Sequence, residues 1–184
     1  VHNYVAVVEA TANQVNQFGG YTGMKPAEYA AMVENIAWEE SLPAGQLILG
    51  GDHLGPLTWQ TLPEQEAMEN SLELVREYTL AGFTKIHLDT SMRVADDDPE
   101  AALAVAVCAR RGARLACAVM AAWEERNKAH PDAMRPVLVL GSEVPIHGGS
   151  QFHEERLAPT APGQFPRPYR VFRIHFAPAS DHFN

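Results

Sequence analysis

Four short apolar runs, each breaking into a polar or glycine-bearing turn, constrain this chain more than any other feature. Val5–Ala10 gives way to TANQVNQFGGYTGM, with no charge between Glu9 and Lys25. Gln46–Leu49 leads into GGDH, Phe83–Leu88 into DTSM, and Val137–Leu140 into GSEVPIHGG. Runs this short and continuous suit strands buried on both faces of a parallel sheet.

The stretches between them read as helices. Pro26 suits a first helical position, where no N–H is needed. Tyr29, Met32, Val33, Ile36 and Ala37 then follow at helical spacing. Met68, Leu72, Val75 and Thr79 predict one face of a helix over 64–81, with Gly82 as its C-cap. Asp96-Asp97-Asp98-Pro99 reads as the start of a third helix, running to about Ala129 with a break at Gly112. The order βαβαβαβ predicts an α/β fold, either a barrel or a doubly wound sheet.

Polar groups gathered at the carboxyl ends of successive strands favour the barrel, where such ends build the site. Four strands cannot close an eight-stranded barrel, so the expectation is a partial TIM (β/α) barrel of about four βα units. The partial barrel domain covers residues 1–150. Residues 151–184 form a Pro-rich irregular tail, because five of the 13 prolines lie between Pro159 and Pro178. Tyr169, Phe172 and Phe176 could mark one helix there. The chain opens almost directly on a strand, which suggests a fragment lacking a first βα unit or a non-AUG start. A genuinely small open-sheet protein is the alternative.

A net charge of −9 argues against a nucleic-acid partner. The apolar stretch around Leu103–Val107 is too short to cross a bilayer, and Val1-His2-Asn3-Tyr4 has no basic leader, so the expected setting is cytoplasmic without a membrane partner. Cys108 and Cys117 read as small core residues rather than a disulfide. His130, His153, His175 and His182 lack metal-ligand spacing.

Asp52-His53 is the sharpest chemical pair. A carboxylate beside an imidazole at a strand end offers a proton acceptor and a metal ligand; the bland alternative is a backbone-capping aspartate. Glu9 and Glu143, at the ends of the first and fourth strands, could converge on Asp52, and such an acid cluster would raise at least one pKa. Each could instead bond backbone amides or Lys85. Lys85 and His87 alternate with Ile86 and Leu88 and so share a strand face. A Schiff-base role for Lys85 is conceivable, but an ion pair is commoner. Asn13, Gln14, Asn16, Gln17, Asp89 and Ser91 are candidates to bind hydroxyls or phosphate. Gly19-Gly20 and Gly148-Gly149 could present amides to a phosphate. Neither GxxxxGK[ST] nor GxGxxG occurs in the sequence.

EATANQVNQFGGYTGM, ILGGDHLGP, AGFTKIHLDTSM and LGSEVPIHGG together resemble the GatZ/KbaZ-type subunits of D-tagatose-1,6-bisphosphate aldolase over about Val5–Gly149. The resemblance implies a TIM barrel and a place in galactitol or N-acetylgalactosamine-type catabolism. It implies a non-catalytic subunit that stabilises a zinc-dependent class II aldolase acting on a phosphorylated ketose. Zinc would then be supplied by that catalytic partner. The pattern of class II aldolases further implies Asp52 as a vestigial acid/base and His53 as a metal ligand. Glu9, Asn13, Gln14, Asn16, Gln17, Asp89, Ser91 and Glu143 would line the substrate side. The alternative is an autonomous sugar-phosphate enzyme, either a ketose-bisphosphate lyase or the tagatose 6-phosphate kinase of older usage.

Overall fold

β1 (Ala6–Thr11), β2 (Leu47–Leu54), β3 (Lys85–Asp89) and β4 (Val137–Gly141) pair in parallel, in the spatial order β1-β2-β3-β4. The computed structural model describes residues 4–141, apart from Ala44 and Ala102. α1 (Pro26–Glu39), α2 (Glu64–Leu80) and α3 (Val105–Ala129) connect the strands. Strand order follows chain order, so right-handed crossovers place successive helices on one side of the sheet. A doubly wound sheet would reverse direction; this one winds continuously, as a partial (β/α) barrel.

The core lies between sheet and helices. Leu49, Ile86 and Leu88 meet Met68, Leu74, Val75 and Tyr78 of α2 and Leu115 and Val119 of α3. At about 25 cal/mol per Å² of apolar surface, this layer is the main source of stability. The Tyr78 hydroxyl donates to Val15 O at 2.9 Å, joining α2 to the segment after β1.

β3 is not buried on both faces, as a continuous apolar run predicts. It alternates, with Ile86 and Leu88 buried and Lys85, His87 and Asp89 half-buried on the opposite face. That second face carries charge, which explains why this strand departs from an all-apolar pattern.

The larger differences from expectation lie at the end of β2 and along α3. β2 continues through Gly50–Leu54, read from sequence as a loop, and a short 3₁₀ turn follows at Pro56–Trp59. α3 starts at Val105 and passes unbroken through the buried Gly112. The acidic triplet serves other ends: Asp96 accepts the Glu64 amide at the start of α2 (2.7 Å), Asp97 accepts the Val94 amide (2.8 Å), and Asp98 the Glu100 amide (2.9 Å). On α1 the buried residues are Pro26, Ala30 and Val33; Met32 and Ile36 are exposed, against the predicted stripe. Cys108 is buried as expected, whereas Cys117 is exposed. Gly82, at φ 95°, follows α2 in the expected place.

A polar cluster at the carboxyl ends of the strands

Two neighbouring residues on a regular strand point to opposite faces. Asp52 and His53 escape this rule because β2 is irregular there: its register with β3 shifts between Gly51 and Leu54. His53 takes a left-handed backbone conformation, φ 51°, uncommon for a residue other than glycine. The irregularity redirects the chain so that both side chains meet over β3.

Asp52 is the hub. Its Oδ2 lies 2.6 Å from His53 Nδ1, and its Oδ1 lies 2.8 Å from His87 Nδ1 and 3.0 Å from Lys85 Nζ. The two imidazole centroids are 4.6 Å apart. Lys85 Nζ also meets Glu9 Oε1 at 2.5 Å, reaching across β2. Gly50 makes that crossing possible. It is paired in register with both Glu9 and Lys85, and a Cβ there would stand 2.6 Å from Glu9 Oε1. Gly141 similarly leaves room for His87, whose Nε2 would be 2.6 Å from a Cβ at that position.

Partial burial pushes the Asp52 carboxyl up, but hydrogen bonds from His87, Lys85 and His53 outweigh it and hold the group far below the ordinary carboxylate range. The acid cluster considered from sequence would raise at least one carboxyl; at Asp52 the ammonium and imidazole neighbours lower it instead. An ionised carboxylate has no proton to give, so both imidazoles donate from Nδ1. Burial pulls the Lys85 ammonium down, and its bonds to Glu9 and Asp52 more than offset this, raising it. An amine held protonated cannot add to a carbonyl, so the geometry lends a Schiff base no support.

Asp52, His53 and His87 each offer a ligand atom within 4.8 Å of the others. Two imidazoles and a carboxylate fit zinc in type and in number for an open site. The Lys85 ammonium sits among them as a resident cation.

The loop after β1 is built around Asn16, which is only 5% exposed. Its Oδ1 accepts the amides of Phe18 (2.9 Å) and Gly20 (3.1 Å), and its Nδ2 donates to Ala12 O at 2.9 Å. The Gly19 amide bonds Asn16 O. Both glycine amides therefore serve the loop rather than facing outward to a phosphate. Gln14 Oε1 accepts the Thr11 amide, and Gln17 Nε2 donates to Asn70 O. Asn13 is exposed, with its Oδ1 accepting from the Thr58 hydroxyl at 2.9 Å. Asp89 Oδ1 accepts both the amide and the hydroxyl of Ser91, a turn that ends β3. Glu143, Gly148-Gly149 and the tail lie outside the described residues.

His87 is the member of the cluster that was not singled out from sequence as a site residue. The alternation KIHLD was its signal, since it places His87 beside Lys85 on the charged face. A second ionic cluster, Arg111 with Glu64 and Asp97, also went unanticipated; the Arg110-Arg111 pair inside an apolar helical pattern was its mark.

Comparison with known proteins bears on the family and the fold. Residues 2–182 match the family model described as D-tagatose-1,6-bisphosphate aldolase subunit GatZ/KbaZ-like. The D-tagatose-1,6-bisphosphate aldolase subunit GatZ of Salmonella agona is 52% identical over 143 residues, 78% of this chain and 32% of the relative. The subunit of the same name from Klebsiella pneumoniae is 49% identical over 147 residues, 80% of this chain and 33% of the relative. The chain thus spans about a third of the length of the curated relatives it matches. A crystal structure of a probable tagatose 6 phosphate kinase from Sinorhizobium meliloti 1021 is similar in fold, with a TM-score of 0.75 and 38% identity. That likeness covers 98% of this chain and 40% of the other.

Proposed function

The chain belongs to the D-tagatose-1,6-bisphosphate aldolase subunit GatZ/KbaZ-like family, and on that premise we propose that it acts as a non-catalytic, stabilising subunit of a zinc-dependent class II D-tagatose-1,6-bisphosphate aldolase. The complex would cleave the C3–C4 bond of the phosphorylated ketose to glycerone phosphate and glyceraldehyde 3-phosphate. One observation carries the non-catalytic reading: Asp52, the carboxylate beside the histidines among the described residues, is locked by three donors in its ionised state. A general acid or base works best with a pKa near the working pH. Asp52 is displaced away from it.

Zinc, which polarises a ketone oxygen when bound, belongs in this reading to the catalytic partner subunit. The residues of this chain that would hold such an ion are Asp52, His53 and His87. Asn13, Asp89 and Ser91, with Glu143, would face the sugar phosphate, while Glu9, Gln14, Asn16 and Gln17 hold the frame behind them. The proposed setting is cytoplasmic, with no nucleic-acid or membrane partner; no helix among the described residues is long and apolar enough to cross a membrane.

The test is a coupled assay of ketose-bisphosphate cleavage with this chain alone, a class II catalytic subunit alone, and both together with zinc. The expected result is activity only where the catalytic subunit is present, raised by adding this chain. Turnover by this chain alone would overturn the reading in favour of an autonomous enzyme. The kinase alternative has the older family usage and the name of a structural relative behind it, but no phosphate-loop motif in the sequence supports it.

A further inference from the structure

We propose that Asp52, His53 and His87 form a latent site for a zinc-type divalent metal ion, held shut by Lys85. The donors are of the right kind, and their atoms lie within 4.8 Å of one another. They come from two adjacent strands, β2 and β3, and the β2 irregularity with the left-handed His53 is what brings them together. An ion coordinated at roughly 2.0–2.2 Å by each donor would separate neighbouring donor atoms by about 3.3 Å. The present contacts, 2.6 and 2.8 Å, are those of imidazole protons standing where the ion would go. Opening the site requires a small outward shift of two rings. His53 is half exposed, and the missing side chain of Gly141 leaves the His87 ring unobstructed where it already packs.

Lys85 is what opposes the ion. Its ammonium lies 3.0 Å from Asp52 Oδ1 and would repel an incoming dication at close range. Glu9, at 2.5 Å, anchors the ammonium from the far side of Gly50, so it cannot simply swing to solvent. Lysine thus supplies the positive charge that the carboxylate and the two histidines are arranged to receive. The inference concerns this chain's own donors and does not depend on the proposed aldolase role.

The experiment is titration of the full chain with Co²⁺, read by visible absorption, with binding stoichiometry from calorimetry. Wild type, Lys85→Met, Lys85→Gln, Lys85→Arg and the double variant Lys85→Met/His87→Ala are compared, with folding checked by circular dichroism. One Co²⁺ should bind Lys85→Met and Lys85→Gln at least about tenfold more tightly than wild type, as expected from removing a like charge at this range. Lys85→Arg should stay as weak as wild type, and the double variant should lose the site. Equal affinity of wild type and the neutral variants would show that Lys85 guards nothing. Absence of binding in folded neutral variants would remove the site altogether. If both neutral variants fail to fold, wild type against His87→Ala decides: weak wild-type binding lost in His87→Ala supports the site, and no difference rejects it.

Discussion

Gly50 and Gly55 both lack a side chain for steric reasons, but the obstacles differ. A Cβ at Gly50 meets the carboxylate end of Glu9 at 2.6 Å, whereas one at Gly55 would lie 1.8 Å from the backbone oxygen of Asp89. A flexible side chain can yield and a strand carbonyl cannot. Gly50→Ala should therefore fold, destabilised by about 1–3 kcal/mol, with Glu9 displaced from Lys85. Gly55→Ala should cost more and give little soluble protein. Urea denaturation of the two variants tests the ranking, and a Gly55→Ala protein as stable as Gly50→Ala would contradict it. Of the cluster, Asp52 and His53 were legible in the sequence because a strand end advertised them. Their chemical state was not, because it depends on His87 and Lys85, more than 30 residues away, arriving on the next strand.

At the level of elements, the strands were legible because their apolar runs are short and break into polar or glycine-bearing turns. The end of β2 was missed because GGDH looks like a turn, and the irregularity that keeps it paired is set by β3 rather than by local propensity. The start of α3 was missed for a related reason: the acids before it are spent on α2 and on the preceding loop. Arg111 shows what those acids do. It is fully buried, with Nη1 and Nη2 donating to Asp97 at 2.9 Å and Nη2 donating to Glu64 at 2.8 Å. Arg110, half exposed, also meets Glu64. Arg111→Met should destabilise by about 3–5 kcal/mol, since it strands two carboxylates without their buried partner. Arg110→Ala should cost under about 1 kcal/mol. Chemical denaturation of each variant checks the contrast, and similar losses from the two would sink the argument.

For the molecule as a whole, three carboxyls among the described residues lie below their ordinary values. Burial raises each, but it is outweighed at Asp52 by His87, Lys85 and His53, and at Glu64 and Asp97 by Arg111. A carboxyl lowered in the folded state adds stability that is complete above the unfolded value and is lost as pH falls towards the folded one. The melting temperature should therefore hold near neutrality and fall steadily below pH ~4, the usual range of an unfolded carboxyl. Asp52→Asn should flatten part of that acid limb. A melting temperature unchanged between pH 5 and pH 2 would show that these contacts add nothing. The overall winding was readable from the order of strands and helices; the division of the sheet into an apolar face and a charged face became plain only with the alternation of β3.

The Glu9–Lys85 contact passes over β2, so β1 is fastened to β3 by charge as well as to β2 by its backbone ladder. β1 has no partner on its other side among the described residues. Each transient detachment of β1 would carry Glu9 away and leave Lys85 to Asp52 alone. Fluctuations of a sheet edge, of the kind measured by amide hydrogen exchange, thereby set how firmly the ammonium is held at the centre of the polar cluster.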